Sequence, residues 1–129
     1  MSEPTIASRL QRRLIVMSAD AAIIDALRAA LPAGWTLVAT LNLGLLGGFE
    51  DILQYRFLLL DLEAHGEVDP LDLIAEIRSE LALNIPIFCF GGDARLRDAA
   101  RLARADRFFE RKEIVARLPH FCDQFSWGG

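Results

Sequence analysis

The stretch Tyr55-Arg56-Phe57-Leu58-Leu59-Leu60-Asp61 decides the fold. Five of its first six residues are apolar and show no polar alternation. That pattern suits a strand covered on both faces inside a parallel sheet, rather than a half-solvated antiparallel one. The run ends on a carboxylate, and in open α/β sheets the carboxyl edge of the strands is where ligands bind and chemistry occurs. Asp61 is therefore the first candidate for function.

Working outward, the rest of the chain alternates short apolar runs with helical patterns. Leu14-Ile15-Val16-Met17 reads as a first buried strand, preceded by a loose tail over residues 1–11 and closed by Ser18-Ala19-Asp20. Asp20 is placed to cap a helix whose Ile23, Ile24, Leu27 and Leu31 recur at helical spacing until Pro32-Ala33-Gly34 stops it. Trp35 to Thr40 alternates as a second strand. Gly44, Gly47 and Gly48 each weaken a helix by about 1 kcal/mol relative to alanine, so Leu43 to Leu53 predicts a short or irregular helix. After Asp61, Glu63 to Asp69 is a polar loop, and Pro70 stands where a helix tolerates proline, with Leu71, Ile74, Ile77 and Leu81 facing inward. Ile87-Phe88-Cys89-Phe90 is a fourth strand that stops at Gly91-Gly92-Asp93. Ala94 to Ala105 predicts a helix, Arg107-Phe108-Phe109 a fifth strand, and Ile114 to Phe125 a last helix interrupted or offset by Pro119. Parallel strands are joined by right-handed crossovers, so five strands alternating with five helices predict a doubly wound (βα)5 sheet with helices on both faces.

Composition narrows the class. The 129 residues suit a single domain, expected over residues 12–126 with a short tail at 127–129. A hydrophobic share of 53% with 25% charged residues is that of a compact globular protein. The net charge of -4 argues against a general nucleic-acid binder, which needs a basic surface to neutralise phosphates. Cys89 and Cys122 have no metal-ligand spacing and are expected to be free buried thiols. The opening residues are mixed and polar, unlike a signal peptide, and the apolar runs are too short to span a bilayer. A cytoplasmic protein is the expectation.

The region from Arg12 to Phe125 resembles the receiver domain of bacterial two-component response regulators. Leu58-Leu59-Leu60-Asp61-Leu62 is similar to that family's third strand with its phospho-accepting aspartate. Leu71-Asp72-Leu73-Ile74-Ala75-Glu76-Ile77-Arg78 is similar to its third helix, with about one extra residue between Asp61 and Arg78. Ile85-Pro86-Ile87-Phe88 and Ala105-Asp106-Arg107-Phe108-Phe109 match its fourth and fifth strands. The resemblance implies a flavodoxin-like (CheY-like) sheet in the order 2-1-3-4-5, with Asp61 as the phospho-acceptor equivalent. It also implies losses. The acidic pair that holds Mg²⁺ falls on Ser18-Ala19, with Asp20 the only carboxylate there, and the switch hydroxyl falls on Gly91. The lysine falls on Arg111, or on Lys112 if the register slips by one, and the proline after it is absent.

These departures bear on the chemistry. Phosphoryl transfer to a carboxylate brings two anions together and relies on cations to offset the charge on the phosphoryl oxygens. Without the acidic pair, only weak Mg²⁺ binding at Asp20 and Asp61 is expected, with no other cofactor or dedicated metal site. The expected protein is a stand-alone pseudo-receiver, not an enzyme, acting by protein-protein contact with phosphorylation impaired or lost. Its expected partners are a histidine kinase, an output protein or a second copy, with no nucleic acid or membrane insertion. Two alternatives stand beside it. One is a working receiver phosphorylated on Asp61 by a histidine kinase. The other is a small α/β protein that binds an anionic metabolite at Gly91-Gly92-Asp93, a segment that reads more readily as a turn with an Asp cap. Arg97, Arg101 and Arg104 recur at helical spacing, with Arg107 just beyond, as one exposed stripe that serves either as a solvated face or as a partner face. In the resembling family, the fourth helix, fifth strand and fifth helix form that partner surface. Phe121, Phe125 and Trp127 either add an apolar patch or close the core, and His65 and His120 are expected at the surface.

Overall fold

The computed structural model describes residues 11–126. The strands are β1 (Arg12–Met17), β2 (Trp35–Ala39), β3 (Phe57–Asp61), β4 (Ile87–Phe90) and β5 (Arg107–Phe109). They form one parallel sheet in the order β2-β1-β3-β4-β5. The helices are α1 (Ala21–Ala30), the one-turn α2 (Phe49–Ile52), α3 (Pro70–Ala75), α4 (Ala94–Leu102) and α5 (Ile114–Gln124). α3 widens at its end into a π-helical turn, Glu76–Glu80, where the Leu81 N–H reaches back to the Glu76 carbonyl. No helix among the described residues is long and apolar enough to cross a membrane.

The unbroken apolar run of β3 follows from its position between β1 and β4. Side chains alternate across a strand. Leu58 and Leu60 enter the core layer shared with Ile74, Ile77 and Cys89, while Phe57 and Leu59 enter the layer shared with Leu27, Leu118 and Phe121. α1 packs beside α5 on one face, and α3 beside α4 on the other. Phe57 is ringed by Trp35, Phe88, Phe121 and Phe125 at centroid separations of 5.5–6.0 Å, so Phe125 closes the core; Trp127 lies outside the described residues. Both cysteines are free and buried. Burial pushes each thiol up to about 12, which leaves them as core residues rather than nucleophiles.

Several expectations shift locally. The segment after β2 splits into a 3-10 turn, Leu43–Leu46, and α2, as its glycines imply. α4 stops at Leu102 instead of continuing to Ala105, because Arg104 takes a left-handed φ of 80° and the Ala105 N–H closes onto the Ala100 carbonyl. α5 runs unbroken through Pro119, correcting the expected interruption. Pro119 is exposed, at a position where water can take the carbonyl that its missing N–H leaves free. Arg78, unremarked in the sequence, is buried.

Candidate functional site

Three loops meet at the carboxyl edge of the sheet, and each is shaped by its own sequence. Asp20 follows β1 and caps α1, its Oδ1 accepting from the N–H groups of Ala22 and Ile23. Main chain ties this loop to the one after β3, for the Ala19 N–H donates to the Ala64 carbonyl at 2.5 Å. After β4, Gly91 and Gly92 both take left-handed conformations, and Asp93 caps α4 through the Leu96 N–H. Gly91 is favoured by its φ of 75°, and a methyl group there would come within 2.6 Å of Glu63 Oε2 and displace that carboxylate.

Asp61 is fully buried and accepts four hydrogen bonds. Its Oδ1 accepts from the Glu63 N–H at 2.8 Å, the Ala64 N–H at 3.0 Å and Arg111 Nη1 at 2.8 Å. Its Oδ2 accepts from the Ser18 hydroxyl at 2.7 Å, and Ser18 Oγ in turn accepts from the Asp20 N–H. Burial by itself would raise the Asp61 carboxyl, but the bonds from Arg111, Ser18, Glu63 and Ala64 together hold it below the ordinary carboxylate range. The donors are unevenly shared: three crowd Oδ1, whereas Oδ2 accepts one.

Arg111 is the hub. Besides Asp61, its Nη1 lies 3.3 Å from Glu63 Oε2, and its Nη2 donates to Asp20 Oδ2 at 2.5 Å. The guanidinium also lies 5.5 Å from the centre of the Phe90 ring. Bonds to Asp61, then to Asp20, raise the Arg111 value despite partial burial, and the bond from Arg111 lowers the Asp20 carboxyl. The donor set does not fit Mg²⁺. That ion needs free carboxylate oxygens in near-octahedral geometry, whereas a guanidinium already spans Asp20 and Asp61. Among the described residues, no group of three or more His, Cys, Asp or Glu side chains is arranged to hold a metal.

The sequence candidates thus separate. Ser18, Asp20, Asp61 and Arg111 converge, and Ala19 contributes main chain. Lys112 points into solvent beside Glu110 and does not reach Asp61. Of the arginine stripe, Arg101, Arg104 and Arg107 are exposed and Arg97 is half-buried. Arg97 turns back to donate to the Gly91 carbonyl at 3.1 Å, and Arg104 has left the helix. Arg101 pairs with Asp98 and lies over Phe108, and Arg107 is exposed at the start of β5. His120 is exposed as expected, but His65 is half-buried with an Nδ1 lacking a partner among the described residues. Sequence reasoning missed the Glu63 side chain. Its signal was a carboxylate two residues beyond Asp61, in the loop at the active edge of the sheet.

A five-stranded parallel sheet in the order 2-1-3-4-5, with an aspartate ending the third strand, is the flavodoxin-like receiver fold. No family model matches the chain, and no curated protein matches it. Solved structures similar to it include response regulator receiver domains. One is a signal receiver domain from Bermanella marisrubri, with TM-score 0.71 and 22% identity over 88% of this chain and 96% of that one. Another is a receiver protein from Pseudoalteromonas atlantica, with TM-score 0.66 and 15% identity over 88% of this chain and 95% of that one. Full-length FixJ from B. japonicum aligns with TM-score 0.68 and 21% identity, over 88% of this chain and 57% of FixJ.

Proposed function

We propose that this chain is a receiver-like module of two-component-type signalling whose acceptor aspartate is disabled, and that it acts through protein-protein contact. The observation that carries this reading is the burial of Asp61 beneath Arg111, Ser18 and the Glu63 and Ala64 amides, all of which donate to it. An aspartate that attacks phosphorus must present an accessible oxygen, and here the carboxylate is fully buried, with three donors on Oδ1 and the Ser18 hydroxyl on Oδ2. Charge adds a second obstacle. Three carboxylates surround one guanidinium, an excess of negative charge that repels a phosphoryl donor. Gly91 also lacks the hydroxyl that would hold a phosphoryl oxygen, a charge-assisted bond worth roughly 1.5–3 kcal/mol.

Nothing comparable favours an anionic metabolite at Gly91-Gly92-Asp93, because the Glu63 carboxylate lies over Gly91 and repels anions. The test is intact-mass measurement after incubation with Mg²⁺ and acetyl phosphate. No phosphoryl adduct is expected. A stoichiometric adduct that disappears in Asp61→Asn would overturn the reading in favour of a working receiver.

A further inference from the structure

We propose that Glu63 couples the Asp61 pocket to α4, through a chain of contacts that takes the place of a switch hydroxyl and holds α4 in one arrangement. This rests on the reading of Asp61 as disabled and deepens it. The chain begins at Asp61, which shares Arg111 Nη1 with Glu63. The Glu63 carboxylate covers Gly91 so closely that any side chain there would displace it. The Gly91 carbonyl accepts from Arg97 Nε, in the first turn of α4, while the Gly91 N–H donates to the Phe109 carbonyl at the end of β5. A change in the Arg111–Glu63 pair therefore meets a residue that is bonded to both α4 and β5.

Three features that look like separate losses then act together. Arginine, with its planar fork, reaches Asp20 and Asp61 at once and still lies near Glu63, where an ammonium offers only a point charge. Ser18 provides a donor for Asp61 Oδ2 instead of a competing charge. Gly91 provides the space in which Glu63 sits. The coupling needs no ligand, so the α4–β5 surface is fixed by folding alone. Glu63 is a positioning residue, half-exposed, and removable without opening the core.

Hydrogen exchange on the whole chain tests this, with amides 91–98 as the readout. In the wild type, Mg²⁺ with acetyl phosphate should leave these amides unchanged. Glu63→Gln and Arg111→Met should each raise their exchange by about tenfold, the loss of one charge-assisted hydrogen bond's worth of local stability. Lys112→Ala should not. Unchanged exchange at 91–98 in Glu63→Gln, with a refractory wild type, overturns the coupling alone. A wild type that takes up a phosphoryl group overturns the reading beneath it. Should Arg111→Met unfold, Glu63→Gln still decides.

Discussion

At the amino edge of the sheet, Arg78 donates to the carbonyls of Arg104 and Leu83 and to Asp106, which also accepts from the Ile87 N–H. At the carboxyl edge, Arg111 meets the three carboxylates of Asp20, Asp61 and Glu63. The two guanidiniums respond in opposite directions. Burial lowers Arg78 from its ordinary value, because its partners are mostly neutral dipoles, whereas the bond to Asp61 raises Arg111. Arg78 has one charged partner and makes a neutral clamp that serves the fold. Arg111 sits in surplus negative charge, an arrangement that stability alone does not favour. An arginine among carbonyls marks architecture, and an arginine among excess carboxylates marks a site whose charge was set by something else.

The largest effect should come from breaking the clamp. Arg78→Met strands two carbonyls and a carboxylate at the ends of α3, β4 and β5, and should cost about 4 kcal/mol in urea unfolding. Arg111→Met should cost about 3 kcal/mol at neutral pH, since it leaves Asp61 buried without its cation. Only this second loss should depend strongly on pH. The folded values of Asp20 and Asp61 are depressed, so their contribution is complete above the unfolded carboxyl range, near pH 4, and drains away as pH falls through the folded values. The gap between wild type and Arg111→Met should therefore be widest near pH 7 and narrow below about pH 4. An equal gap at both pH values would erase the distinction between clamp and site. The smallest effect is expected for Ser18→Ala, about 1.5–2 kcal/mol, from the loss of one hydroxyl bond to a charged group.

How far the sequence reveals this molecule depends on the range of the interaction. β3 is legible because a strand covered on both faces must be apolar throughout, and Phe57 to Leu60 are. Asp20 as a cap is legible because the cap lies within three residues of the amides it serves. Ser18 and Arg111 could be nominated by position, but their meeting at Asp61 is made by strand order, across separations of up to 50 residues for Arg111. The Glu63 side chain escaped for the same reason, since its partners lie on other loops. Helix ends were misjudged where one backbone angle decides, as at Arg104. Pro119 misled in the opposite sense, because exposure makes tolerable what a buried helix position would forbid.

The main-chain bond from Ala19 to Ala64 carries an evolutionary consequence. Any residue but proline can donate at position 19, and any residue can accept at position 64. The loops flanking Asp61 are thus joined by a tie that no side-chain substitution between them removes. The outline of the pocket is held independently of its side-chain chemistry, so residues such as Ser18 and Arg111 can vary over a framework that stays in place.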